Sequence, residues 1–262
     1  MRLHRISALL FRHLYLYKRS VPRLMDVFFW PVIELLLWGF ISLYLQKFDM
    51  GGLNIVTVLL GAIIFWDLLS QSQRAVSVAF LEDVWERNFL NIFVTPLTVG
   101  EFMVSAVLLG LVRVALVGAV MAVLAFALYH LNIFAFGFSL IPFAANLLLF
   151  GWAAGLFATA IILRYGTSAQ VIAFSLLFLV QPLSAVFYPA SVLPEGVRFF
   201  AYLLPSTHVF EGMRTVIATG SFPYAELGWA FLTNAICLFL SIRYFYYMFA
   251  RVKEQGRLMK LD

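Results

Sequence analysis

The chain has 262 residues, of which 63% are hydrophobic and 12% charged, and its formal net charge is +5. Soluble domains are roughly half apolar and a quarter charged, so a mean hydropathy of +0.96 excludes a water-soluble fold. The single cysteine, Cys237, excludes an internal disulfide framework.

The residues before the first apolar run predict an amphipathic helix. Between residues 2 and 20, apolar side chains share one arc at helical spacing and arginines share another. We expect residues 1–23 to form an interfacial elbow helix, although a generic basic anchor has the same pattern. Arg12 and His13 interrupt the stretch and no small-residue cleavage pattern precedes Lys18, so we do not expect a cleaved signal peptide.

Six apolar runs have about the 20 residues that a spanning helix needs. They cover residues 27–45, 55–74, 102–129, 138–163, 169–187 and 227–249. The sequence therefore predicts an all-α integral membrane protein with six transmembrane helices, forming a single transmembrane domain over residues 1–262. Little chain is left for a soluble domain.

Among the ionisable residues inside these runs, three stand out, namely Glu34, Asp67 and Arg113. Such groups are costly at membrane depth and usually face a bundle interior or an aqueous path. At about 1.5 Å per residue, Glu34 and Asp67 lie on the order of 10 Å deep and Arg113 lies deeper. We expect Arg113 to pair with Glu34 or Asp67, either as a structural tie between helices or as part of a substrate path.

The connection between the second and third runs contains a helix-compatible stretch, residues 81–95, which ends at Thr95-Pro96. Between Arg74 and Glu101 there are four acidic and two basic residues. Anionic headgroups repel an acidic helix, so a protein partner is the more natural contact, and a solvated loop helix is the alternative. The residues expected to make this contact are Glu82, Asp83, Trp85, Glu86, Arg87, Asn88 and Leu90.

Prolines punctuate the stretch 188–219, which holds two apolar segments too short to cross a membrane, 197–204 and 209–219. Irregular backbone at membrane depth must be shielded by protein, so we predict outer re-entrant half-helices before the last span. Glu211 and Arg214 are three residues apart and can pair on one helical face. His208 with one glutamate is too small a ligand set for a metal, and we predict no metal site.

The distribution of lysine and arginine predicts that both termini are cytoplasmic. With the N-terminus inside, the inner segments hold thirteen of these residues and the outer segments hold only Lys47, Arg198 and Arg214. The positive net charge therefore reflects membrane topology, and no nucleic-acid partner is expected.

The order of these features resembles the permease subunits of type-2 ABC exporters across essentially the whole chain. The inner stretch from Glu86-Arg87-Asn88 to Thr95-Pro96-Leu97-Thr98 is similar to the family's coupling helix and the Thr-Pro-Leu step that follows it. A Gly-Thr pair that many members carry near Asn88-Phe89 is missing here. The outer stretch is similar to the family's C-terminal signature and comprises Phe187, Tyr188, Pro189, Leu193, Pro194, Leu204, Pro205, Glu211 and Arg214.

This resemblance implies a permease that moves an amphipathic or lipid-linked substrate outward, powered by a separate ATPase subunit. The sequence contains no G-x-x-x-x-G-K-[ST] loop, so we expect no enzyme activity or cofactor on this chain and assign ATP and Mg²⁺ to the partner. Membrane lipids and a second permease copy, forming a homodimer, are the other expected partners, and the bacterial inner membrane is the expected location. An integral membrane enzyme or channel using Glu34, Asp67 and Arg113 is the alternative hypothesis.

Overall fold

The computed structural model describes residues 2–48, 55–85 and 94–255, and the regular structure in these ranges is helical throughout. The α-helices are α1 (Leu3–Arg19), α2 (Val21–Gln46), α3 (Ile55–Trp85), α4 (Val99–Tyr129), α5 (Leu140–Tyr165), α6 (Gln170–Val180), α7 (Glu195–Tyr202), α8 (Pro205–Thr219) and α9 (Tyr224–Glu254). Short 3-10 segments occur at Ile133–Ser139, Gly166–Ala169 and Ala190–Val192.

Five helices in the described ranges are long and apolar enough to cross a membrane, which confirms the prediction of a multi-pass α-helical membrane protein. They are Val21–Gln46, Ile55–Asp83, Val99–Tyr129, Phe136–Tyr165 and Tyr224–Glu254. The predicted fifth run, 169–187, differs because its helix α6 has only 11 residues. That length is about 16 Å, roughly half of the hydrocarbon thickness. Pro182, two residues after the end of α6, cannot donate a helical hydrogen bond.

Two apolar cores lie along the bundle. The larger one brings together Leu35 of α2, Phe65 of α3 and Phe210 of α8. The smaller one lies where α1 packs on the other helices, and it includes Leu9 and Phe102. These cores define an α8 end and an α1 end. Because α5 ends at the α1 end and α9 begins beside α8, the chain between them must cross from one end to the other, and α6 makes the first part of that passage.

Helix α3 is the centre of the bundle, and glycines let α5 approach it closely. A Cβ atom at Gly151 would lie 2.6 Å from the Cβ of Ser72 and 2.8 Å from the carbonyl oxygen of Leu69. A Cβ atom at Gly155 would lie 2.8 Å from the Cβ of Val76. Small residues four apart on α5 therefore serve helix packing.

Helix α3 is also longer than the predicted second run. It continues without a break to Trp85, so the first five residues of the predicted coupling helix, 81–85, are the last part of α3. The polar stretch from Gln71 to Arg74 does not end the helix, because Gln71, Ser72 and Gln73 are buried among neighbouring helices.

Candidate functional site

The predicted partner-binding acids at the end of α3 bind other parts of this chain. The Asp83 carboxylate accepts a 2.7 Å hydrogen bond from the Arg12 guanidinium of α1, and Asp83 is 1% exposed. The Nε2 atom of His13 lies 4.0 Å from the second oxygen of Asp83. Glu82 lies 3.3 Å from the guanidinium of Arg23, at the start of α2. These two acids therefore hold α1 and α2 against α3.

The start of α4 is held by α1 as well. Glu101 accepts hydrogen bonds from the backbone N–H groups of Thr98 (2.9 Å) and Arg2 (2.7 Å), and the Thr98 hydroxyl accepts one from the Glu101 N–H. This is a capping box, which satisfies free N–H groups at a helix start. Arg5 lies 3.7 Å from Glu101 and also donates to the Pro96 carbonyl. The set Arg5, Arg12, Arg23, Glu82, Asp83 and Glu101 is called the α1 clamp below.

The α1 clamp explains how α1 is oriented. The buried residues of α1 are Ile6, Leu9 and His13, whereas the apolar side chains of Leu3 and Phe11 are exposed. Two of its arginines face acids of the bundle, so α1 packs against protein on that side. Charge complementarity with α3 and α4 decides this orientation. The sequence of α1 alone, drawn on a helical wheel, does not predict it.

The clamp also fixes both ends of the segment between α3 and α4. On the α3 side, the described chain ends with Trp85, which is 47% exposed, and on the α4 side it resumes at Val94, which is 84% exposed. Both apolar side chains are therefore open to a partner. Of the other residues predicted to make this contact, Glu86, Arg87, Asn88 and Leu90 lie outside the described residues.

Arg113 of α4 contacts polar groups in the bundle interior. Its guanidinium donates to the Tyr17 hydroxyl at 3.0 Å and to the side-chain oxygen of Gln71 at 3.3 Å. Asp67 lies 3.7 Å from the guanidinium of Arg74 on its own helix. The expected pairing of Arg113 with Glu34 or Asp67 stays a prediction. The charge of Arg113 acts on Asp67, which lies one helical turn from Gln71.

Sequence analysis overlooked Tyr17, Gln71 and Arg74 in this network. Asp67, Gln71 and Arg74 recur at intervals of four and three residues, which places them on one face of a helix. That spacing is a signal that could have grouped them. The contribution of Tyr17 required knowing that α1 folds back onto α4.

Glu34 and Asp67 line one cavity of about 230 Å³ between α2, α3 and the region of α6. Arg74 lies in the same wall, and aromatic side chains are the largest group among the other lining residues. The aromatic lining residues are Trp30, Trp38, Trp66, Phe174, Phe178 and Phe187. The Trp38 and Phe187 rings stack at 4.1 Å, which joins α2 to the chain that follows α6. Arg113 is buried behind this wall and does not line the cavity.

At the α8 end, Glu211 and Arg214 hold the irregular chain that follows α6. Arg214 donates to the carbonyl oxygens of Ala185 (2.7 Å) and Val186 (3.5 Å). Glu211 accepts from the Ala190 N–H at 2.6 Å and from Arg214 at 3.1 Å. Ala185 has a φ of +52°, which is uncommon for a residue with a side chain. The predicted ion pair between Glu211 and Arg214 is present. Both side chains also form hydrogen bonds with backbone groups of the irregular chain, in place of the backbone partners that a regular helix would provide.

Neighbouring residues extend this support. Thr207 donates to the Leu183 carbonyl at 3.2 Å, and the hydroxyls of Ser184 and Ser206 lie 2.8 Å apart. Tyr188 donates to the Pro182 carbonyl. The hydroxyl residues carry no sequence signal that separates them from ordinary turn residues. We call the contacts between residues 182–190 and α8 the α8 clasp.

The remaining prolines of the outer stretch begin helices. Pro189 precedes the 3-10 segment Ala190–Val192, Pro194 caps α7, and Pro205 is the first residue of α8. Proline suits these positions because a first-turn N–H has no helical partner. Arg198 then donates to the carbonyl oxygens of Ser191 (2.7 Å) and Leu193 (2.9 Å). Two short helices thus occur where the two apolar segments were predicted.

His208 of α8 lies in the same region. Its Nε2 atom is 2.9 Å from the Tyr202 carbonyl oxygen, and its ring stacks near that of Trp229. Burial lowers the pKa of His208 because it disfavours the charged imidazolium, against the opposing effects of the Tyr202 carbonyl, Glu226 and Glu211.

Residues 4–218 match the sequence model of a family described as ABC-2 type transporter. No curated protein matches the chain. The matched range contains the α1 clamp, the cavity and the α8 clasp.

Proposed function

Because this chain belongs to the ABC-2 type transporter family, we propose that it is the membrane permease of an ATP-driven exporter that moves an amphipathic or lipid-linked substrate outward. A separate ATPase subunit binds ATP and Mg²⁺, and a second copy of the permease completes a homodimer. The chain itself then catalyses no reaction. The substrate path runs beside the polar residues of the membrane-spanning helices.

The observation that carries this proposal is the continuity of α3. One unbroken helix bears Trp85 at the α1 end and the cavity residues Asp67 and Arg74. Trp85 follows Asp67 by 18 positions, which is about 27 Å along a helix. A displacement of the segment after Trp85 therefore reaches the cavity wall through a rigid element. Transport requires such a coupling between two conformations with different contacts at the motor.

The α1 clamp supports the same role, which is to transmit motion from the ATPase to the cavity. It joins α1 to both ends of the segment between α3 and α4 through Asp83 on one side and Glu101 on the other. The segment, the start of α4 and α1 consequently move together. In the exporter proposed here, the α1 end faces the cytoplasm of a bacterial cell, since Arg2, Arg5, Arg251 and Lys253 all lie at that end.

The alternative hypothesis, an enzyme or channel using Glu34, Asp67 and Arg113, has less support. Only the two carboxylates share the cavity, and Arg113 is turned to Tyr17 and Gln71. A reaction site built from all three would need them to face one volume.

The test is copurification. A tagged chain is extracted in mild detergent from membranes of its own host, and bound nucleotide-binding subunits are identified by mass spectrometry. Trp85→Ala is expected to lower the amount of bound ATPase severalfold and to lower transport-coupled ATP turnover, with membrane insertion unchanged. Trp229→Ala removes another exposed tryptophan, near the start of α9, and should have neither effect. Equal ATPase recovery with both variants, or none with the unaltered chain, would contradict the proposal.

A further inference from the structure

The cavity between α2 and α3 contains an imbalance of charge. Glu34 and Asp67 contribute two carboxylates to its lining, and Arg74 contributes one guanidinium. Arg74 lies 3.7 Å from Asp67, and it is also the cation whose charge acts on Glu34. One positive charge in the wall therefore serves two acids. Arg113, behind the wall, donates hydrogen bonds to Tyr17 and Gln71, and its charge acts on Asp67.

The walls suit a positive ligand for a second reason. Trp30, Trp38 and Trp66 line the cavity together with Glu34. The face of an indole ring attracts a cation within about 6 Å, most strongly where water is excluded. Carboxylates beside tryptophan rings are a combination that favours organic ammonium groups over anions or neutral molecules.

The size and opening of the cavity specify the rest of the ligand. A volume of about 230 Å³ lies below the range of about 300–1,000 Å³ that holds a whole drug-sized molecule. The lining residues Trp30, Leu37 and Phe178 are all more than half exposed, so the cavity opens sideways between α2 and the region of α6. A headgroup fits inside, and an attached alkyl chain can lie along the apolar surface outside.

We propose that this cavity binds the cationic headgroup of a single-chain amphipathic molecule, with Glu34 as its counter-ion and Trp30, Trp38 and Trp66 as its walls. This assignment rests on the proposed exporter function and gives it a substrate class. Glu34 provides the free negative charge because Asp67 is already paired with Arg74. A bound cation compensates for the burial of Glu34 and competes with Arg74 for both acids.

The test compares two probes that differ in charge. The full chain in dodecyl maltoside micelles is titrated with 11-bromoundecyl-trimethylammonium or with 11-bromoundecanol, and bromine quenching of tryptophan fluorescence reports binding as a function of the mole fraction of probe in the micelle. The cation is expected to give saturable quenching at low mole fraction, and the alcohol only the unsaturable quenching of random contact. Identical curves for the two probes would overturn the inference.

Variants with opposite expected effects distinguish binding from misfolding. Glu34→Gln should weaken cation binding about tenfold, because it removes one partly buried charge. Arg74→Gln should strengthen cation binding, because it releases both carboxylates. Glu195→Gln, which neutralises an exposed carboxylate of α7, is the matched control and should change nothing. Unchanged cation binding in Glu34→Gln, or weakened binding in both cavity variants, contradicts the assignment.

Other possible occupants of the cavity, and failure of the proposed exporter function, would each give a different experimental result. Competition by lysophosphatidylcholine as effective as that of the cation would assign the cavity to a zwitterionic lipid headgroup and overturn the inference. Loss of the dimer in Glu34→Gln without charge selectivity would assign the cavity to a second copy and likewise overturn it. A chain that copurifies with an ATPase but does not prefer the cation refutes only this inference, whereas cation binding without any ATPase partner refutes only the proposed function.

Discussion

Arg12 in α1 and Asp83 in α3 are 71 positions apart in the chain, and their side chains form a 2.7 Å charge-assisted hydrogen bond. Asp83 is almost fully buried, whereas the Arg12 side chain is 28% exposed. This pair attaches the amphipathic N-terminal helix to the bundle at the base of the segment that we propose contacts the ATPase. Asp83, which the sequence pattern assigned to contact with a partner protein, thereby binds another part of its own chain.

Asp83→Asn is expected to destabilise the folded protein by about 2 kcal/mol, because the Arg12 guanidinium loses its ionic acceptor in a partly buried site. A double-mutant cycle with Arg12→Gln should give a coupling free energy of about 1 kcal/mol or more. Thermal unfolding in detergent measures both values. Arg19→Gln, on an exposed position of the same helix, is the control and should leave the midpoint unchanged. Additive effects of the two clamp variants would show that the pair contributes nothing.

The start of α4 gives a second prediction. Thr98→Ala removes the hydroxyl that accepts from the Glu101 N–H, and loss of such a cap costs about 1 kcal/mol. Thr98→Ser keeps the acceptor and should retain stability. Because Glu101 also binds α1, the Ala variant should increase hydrogen exchange at the start of α4 and in α1 together. Exchange that rises at α4 alone would argue against a shared clamp.

Close packing of α3 and α5 gives a third prediction. Gly151→Ala places a Cβ atom within 2.8 Å of the Leu69 carbonyl oxygen, and backbone cannot yield cheaply, so destabilisation of about 1–3 kcal/mol is expected. Gly118→Ala is the matched control in another spanning helix, since nothing lies within 4 Å of a Cβ atom there. Its stability should stay level or rise by up to about 1 kcal/mol through higher helix propensity. The two midpoints, measured in the same detergent, should move apart.

The α8 clasp gives a fourth prediction. Arg214→Gln deprives the Ala185 and Val186 carbonyls of a charged donor, a loss of about 1.5–3 kcal/mol. Residues 182–190 should become more sensitive to limited proteolysis in detergent, with cleavage mapped by mass spectrometry. Arg164→Gln removes an exposed arginine from the end of α5 and should not alter the cleavage pattern. Resistance of residues 182–190 in Arg214→Gln would show that other clasp contacts suffice.

His208 gives a prediction about pH. Since burial lowers its pKa in the folded protein below the ordinary 6.5, the unfolded chain binds a proton more readily. His208 therefore lowers stability as pH falls through 6.5, and the decline levels off below the pKa of the folded state. The unfolding midpoint of the unaltered protein should therefore fall further from pH 8 to pH 5 than the midpoint of His208→Gln, because the variant lacks the titrating imidazole. Parallel curves over that range would contradict it.

Much of the architecture follows from local properties of the chain. A run of about 20 apolar residues selects a spanning helix wherever it occurs, which is why α2, α3, α4, α5 and α9 lie where the runs predicted them. Proline sets helix starts locally too, as at Pro205. The exception is 169–187, where composition predicted a span and Pro182 shortens the helix to α6.

The contacts of the charged residues could not be predicted from local sequence properties. Whether Asp83 faces a partner or Arg12, and whether Arg113 meets an acid or Gln71, depends on how helices far apart in the chain are rotated against each other. Hydropathy and spacing do not encode that rotation, because several rotations bury similar apolar area.

The amino-acid sequence by itself determined that this protein is a multi-pass helical membrane protein with an amphipathic N-terminal helix and an irregular, proline-rich stretch before its last span, since each follows from the length and pattern of a single segment. Only the tertiary structure decided that Glu34 and Asp67 share one aromatic cavity and that α1 is ionically bound to both ends of the segment between α3 and α4. Those relationships arise from side chains on different helices meeting in space, where desolvation makes each unpaired charge costly and so selects the partners.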